Sequence, residues 1–66
     1  MEDRKLFRDA FNFFTKYRDL IGHTDRNTFW ASAAEEMGAL CTALDNTEFA
    51  MDIFIAVYKE LERREH

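Results

Sequence analysis

From Phe49 to Tyr58 the chain reads FAMDIFIAVY, and Asp52 is the single polar residue of the run. A helix built on it is apolar nearly all round and needs cover on more than one side. Elsewhere, too, apolar residues recur at helical rather than alternating spacing. There is no proline, and the pattern is punctuated at only two places, Gly22 to Asp25 and Asp45 to Thr47. Together these predict helices over 3–21, 25–43 and 46–64, each about 27–30 Å long at about 1.5 Å per residue. Matched helices with short connections predict an all-α fold, a compact antiparallel three-helix bundle.

On the first helix Leu6, Phe13, Tyr17 and Leu20 share a stripe, and Phe7, Ala10, Phe11, Phe14 and Ile21 widen it to about half the cylinder. The phenylalanines are therefore expected inside, with Lys5, Arg8, Asn12, Thr15, Lys16 and Asp19 facing water. Gly22 stands where a left-handed residue ends a helix. Thr24 or Asp25 can cap the second helix, whose apolar arc holds Phe29, Trp30, Ala33, Ala34, Met37, Leu40, Cys41 and Leu44. Gly38 within it costs about 1 kcal/mol relative to alanine, which predicts close approach of a neighbouring backbone. Asp45 and Glu48 read as a capping box for the third helix, with Leu44 and Phe49 as its hydrophobic staple; Asn46 and Thr47 are alternative caps.

The wheel divides the third helix in two. Ala50, Ile53, Phe54, Val57 and Leu61 make a core face, and Met51, Ile55 and Tyr58 form a second stripe about 100° further round. Either the two neighbouring helices cover both stripes, or the second is a surface for another chain, a role that suits Met and aromatic residues.

Size favours the latter. A domain of 66 residues buries only about 60% of the surface its unfolded chain exposes, and folds this small are usually reinforced by disulfides, metal or oligomerisation. The lone Cys41 permits neither an intrachain disulfide nor a multi-thiolate zinc site. The expectation is a self-associating bundle, a homo-oligomer joined through Met51, Ile55 and Tyr58 and the Phe13 side of the first helix, with a further protein partner admitted. One cysteine also suits a reducing compartment. No apolar segment follows the opening MEDRK, and no run approaches the roughly 18 residues that span a bilayer, so a cytoplasmic setting, bacterial or host, is expected without membrane association.

Net charge is −4, but its distribution is more telling: from Asn27 to Tyr58 there are five acids, Glu35, Glu36, Asp45, Glu48 and Asp52, and no base. This acidic flank projects a negative field and disfavours direct nucleic-acid contact, which needs Lys or Arg. A helix-turn-helix reader would lack donors on its recognition helix, where Arg26, Lys59, Arg63 and Arg64 stand only at the ends. The basic residues Arg4, Lys5 and Arg8 beside Phe7, Phe11 and Phe14 superficially resemble an interfacial membrane helix, but the bundle needs those rings for its core.

Chemistry finds no foothold. Glu-x-x-His and His-x-x-x-His pairs are missing, His23 and Asp25 sit two apart in a turn, and His66 is terminal, so no metal or cofactor is expected. Cys41 has apolar wheel neighbours and no base. Glu35 and Glu36 point about 100° apart on a helix and, with Asp52, read as solvated carboxylates. No phosphate loop or nucleophile motif is present, and an enzyme is not expected.

The segment from Phe29 to Glu65, with its FW opening, central Cys41, the FAMD step at Phe49 to Asp52 and the closing AVYKELERR, resembles small uncharacterised helical proteins of Firmicute phages and mobile elements. The resemblance implies an accessory protein acting inside a bacterial cell. Combined with the pattern, it yields a non-enzymatic protein–protein interaction module. The alternatives are an acidic counter-defence inhibitor that blocks a basic nucleic-acid-binding site of a host nuclease complex, and an oligomer that holds a small ligand between subunits.

Overall fold

The computed structural model describes residues 3–65, most of them in three 18-residue helices: α1 (Asp3–Leu20), α2 (Arg26–Ala43) and α3 (Glu48–Glu65). Among the described residues there is no strand. Phe7 meets Phe49 and Phe14 meets Arg64, so α1 and α3 run parallel; Tyr17 meets Phe29 and Arg26 meets Glu65, so α2 runs against both. Every pair of helices packs together, α1 with α3 most extensively, in a body of 34 × 16 × 15 Å. The expected all-α antiparallel bundle is the observed fold.

The helix ends follow from local chemistry. Asp25 caps α2 by accepting from the Thr28 amide at 3.1 Å and the Thr28 hydroxyl at 3.2 Å, satisfying an amide that the first turn leaves free. Gly22, at φ +82°, takes the left-handed conformation that lets the chain leave α1.

The expected capping box at Asp45 is corrected. Asp45 and Asn46 both have positive φ, 65° and 52°, and they finish α2 instead of starting α3. The Asp45 amide donates to the Thr42 carbonyl at 3.0 Å and the Asn46 amide to Cys41 at 2.8 Å, the paired bonds of a Schellman ending. Asp and Asn are the side chains other than Gly that best tolerate this conformation. Thr47 is the cap of α3, its hydroxyl accepting from the Ala50 amide at 3.2 Å. Leu44 and Phe49 consequently form no staple: Leu44 lies in the core, and Phe49 meets Phe7 edge-on at 6.0 Å.

The core is one layer where the helices meet. Leu6, Ala10, Phe13 and Tyr17 enter from α1, Phe29, Ala33 and Cys41 from α2, Leu44 from the turn, and Ala50, Phe54 and Leu61 from α3. Edge-on rings join them, Phe13 to Phe54 at 5.7 Å and Tyr17 to Phe29 at 5.4 Å, an arrangement that sets the positive rim of one ring on the negative face of the next. Two further expectations are corrected. Phe7 and Phe11 are 52% and 64% exposed, because α3 covers only the near edge of the wide α1 arc. Gly38 meets no neighbour: a methyl group built on it would have nothing within 4 Å.

Candidate protein interface

On α3 the two predicted stripes separate. Ala50, Phe54 and Leu61 are fully buried, with Ile53 and Val57 packed half-buried beside them. In the second stripe Met51 and Ile55 stay 42% and 43% exposed. Tyr58 is half-buried instead, its ring 5.0 Å from that of Trp30, which seals this end of the α2–α3 seam. Phe13 has no surface to present, being 2% exposed inside the core. The structure thus brings Met51 and Ile55 together at the surface, next to Tyr58, and places Phe13 elsewhere.

Beside Met51 and Ile55 lies a shallow hollow of about 340 Å³ between α2 and α3. Met37, Gly38, Cys41 and Thr42 form its α2 wall, and Asn46 closes one end. Its lining is mostly apolar because Met37, Cys41, Met51 and Ile55 supply it and the Thr42 hydroxyl is turned back onto the Gly38 carbonyl at 3.0 Å. Cys41 is buried at its base, and burial pushes the thiol up from its usual range, the setting of an unreactive cysteine.

A second apolar surface lies on α1, on rings that the residue pattern places in the core. Phe7, Phe11 and Phe14 follow one another at i, i+4 and i+7 along α1 on the side toward α3, where Phe49 joins them. Arg64 and Arg18 lie over the Phe14 ring at 5.0 and 5.7 Å, cation–π contacts that shelter it, while Phe7 and Phe11 remain open. Only the extent of cover by α3 distinguishes them from buried rings, and the sequence carries no sign of that.

The acidic flank is spread over α2, the turn and α3. Glu36 pairs with Lys16 of α1 at 3.1 Å. Glu35, Asp45, Glu48 and Asp52 are exposed and make no ion pair among the described residues. Burial, with Glu36 and Glu35 nearby, pushes the Tyr17 phenol up to about 12. At the C-terminal end of α3, Arg64 holds Glu60 below the usual carboxylate range through a 2.8 Å hydrogen bond.

Two smaller hollows of about 290 and 240 Å³ share Arg26 and Glu65, whose 2.9 Å ion pair borders both. No three His, Cys, Asp or Glu side chains gather among the described residues, His66 lies outside them, and no described helix is long and apolar enough to cross a membrane. Comparison with protein-family models, curated proteins and solved structures finds no match to this chain.

Proposed function

We propose that this chain is a non-enzymatic protein-binding module that acts as a homo-oligomer through the α2–α3 groove around Met51 and Ile55. One observation carries the reading: a bundle this small leaves Phe7, Phe11, Phe49, Met51 and Ile55 substantially exposed. Large apolar side chains grouped at a surface, more than the same residues scattered, mark contact sites. The resemblance of Phe29 to Glu65 to phage and mobile-element proteins suits an accessory role inside a bacterial cell.

Light scattering after gel filtration tests it, with more than one chain per particle expected at micromolar concentration. A particle of 7.9 kDa, one chain, would end the oligomer reading. Met51→Glu and Ile55→Glu are expected to retain their helicity, because both positions are exposed, and to lose self-association.

The carboxylates of Glu35, Asp45, Glu48 and Asp52, which make no ion pair among the described residues, favour a second reading, an acidic inhibitor that occupies a basic nucleic-acid site of a host nuclease complex. Binding that weakens steeply with salt is expected of it; salt-insensitive binding, or none, counts against it.

A further inference from the structure

The two open apolar surfaces carry the same pattern with opposite charge. On α1, Arg4, Phe7, Phe11 and Arg18 stand at i, i+3, i+7 and i+14; on α3, Glu48, Met51, Ile55 and Glu62 stand at the same offsets. All eight are exposed. Residues three, seven and fourteen apart lie near one line along a helix, so Arg4 and Arg18 bracket one apolar pair and Glu48 and Glu62 the other, with exposed Asp3 and Lys59 one turn beyond Phe7 and Ile55. Among the described residues, Arg4, Glu48 and Glu62 make no ion pair within the chain, and Arg18 pairs only with its neighbour Asp19.

We propose that the occupant of the α2–α3 groove is the Phe7–Phe11 stripe of a second copy, so that copies join head to tail through two different surfaces. This rests on the homo-oligomer reading and specifies its geometry. In the parallel register Arg4 faces Glu48, Phe7 faces Met51, Phe11 faces Ile55 and Arg18 faces Glu62. The antiparallel register also pairs the charges but sets Phe7 away from Met51, because the apolar pair is off-centre between its brackets.

A two-fold joint fares worse. In the register that sets bracket against bracket, pairing groove with groove brings Glu48 and Glu62 of both copies together, and pairing stripe with stripe does the same with Arg4 and Arg18; like charges across an interface are disfavoured. Gly38 adds an independent argument. Glycine weakens a helix interior, and that loss has no return among the described residues, since nothing beyond its chain neighbours and its own helix backbone lies within 4 Å of where a Cβ would stand. Across the proposed joint it has one, because the bare wall at Gly38 leaves the slot into which a phenylalanine ring fits.

Such a joint is heterologous, so each copy keeps one free stripe and one free groove until a ring closes or a row grows. Two variants test it. Phe11→Glu spoils the stripe and keeps the groove, whereas Ile55→Glu spoils the groove and keeps the stripe. Each alone is expected to be a folded single chain by circular dichroism and light scattering. An equimolar mixture is expected to form a particle of two chains and nothing larger, since one good joint remains. Gly38→Leu, which fills the slot and favours the helix, replaces Ile55→Glu should that variant unfold, with the same outcome expected.

A wild type that stops at two chains, or a mixture that stays at one chain, overturns head-to-tail joining. So does a Phe11→Glu variant that assembles like the wild type; in that case the groove still joins copies and the broader reading survives. A wild type that is itself a single chain overturns both.

Discussion

Phe13 and Phe11 are the same residue two positions apart on the same helix, and one is 2% exposed while the other is 64% exposed. Phe13 points to where all three helices converge and touches Phe54 and Tyr17. Phe11 sits about 160° away around α1, beyond the reach of α3. A bundle of three short helices can cover one stripe per helix, and an apolar residue outside that stripe is left facing solvent, as Phe11 is. The inner face of α1 therefore determines whether the chain folds, and the outer face can be altered with the fold intact.

The largest expected effect is on the inner face. Phe13→Ala should cost about 3–5 kcal/mol by the usual loss for a buried ring. Against the roughly 3–10 kcal/mol expected of a domain this size, that leaves a substantial unfolded fraction in urea titration. A small loss would show that the core at Phe13 can collapse around the gap.

The next effect, also on the inner face, is confined to alkaline pH. Tyr17 releases its proton near 10 when unfolded and near 12 when folded, so between these values the folded state holds more protons and stability falls as pH rises. The contribution is fully present below 10 and lost through 12. Tyr17→Phe should flatten the fall of the urea midpoint in that window; an unchanged slope would mean that other groups govern it.

Between the two faces lies Phe7, half-exposed with its edge contact to Phe49. A double-mutant cycle of Phe7→Ala and Phe49→Ala should return a coupling of about 0.5–1.5 kcal/mol, and zero coupling would place Phe7 wholly with the outer face. Smallest of all, Phe11→Ala should shift stability within about 0.5 kcal/mol when measured at concentrations too low for association. A loss as large as that of Phe13 would dissolve the distinction between the faces.

Much of this architecture is legible in the residue pattern, because helix identity depends on local spacing. The three helices begin and end within two residues of expectation, Asp25 and Gly22 cap where their chemistry suggests, and the division of α3 into Ala50–Phe54–Leu61 and Met51–Ile55 is visible on the wheel. What escaped depends on the neighbours of a residue. Asp45 is as suitable for ending a helix in the left-handed region as for starting one, and only the path of the chain decides. The wheel gives the width of an apolar arc but not how much of it is covered, so Phe7 and Phe11 were expected inside and Phe13 at an interface. Gly38 was misread for the same reason, since a gap in the side-chain row can admit either a neighbour in the fold or a visitor from outside.

The arrangement of seams also bears on how the chain reaches this state. The most extensive contact joins α1 to α3, the two helices separated by the whole of α2, while the α1–α2 hairpin lacks Phe54 and Leu61 to close over its rings. Tight turns and local packing place the bundle among rapid folders, those that finish in microseconds to milliseconds, but the decisive closure waits for the last helix. Tyr17 already has Phe29 against it in the α1–α2 hairpin, whereas Phe13 gains its edge-on partner Phe54 only when α3 is in place.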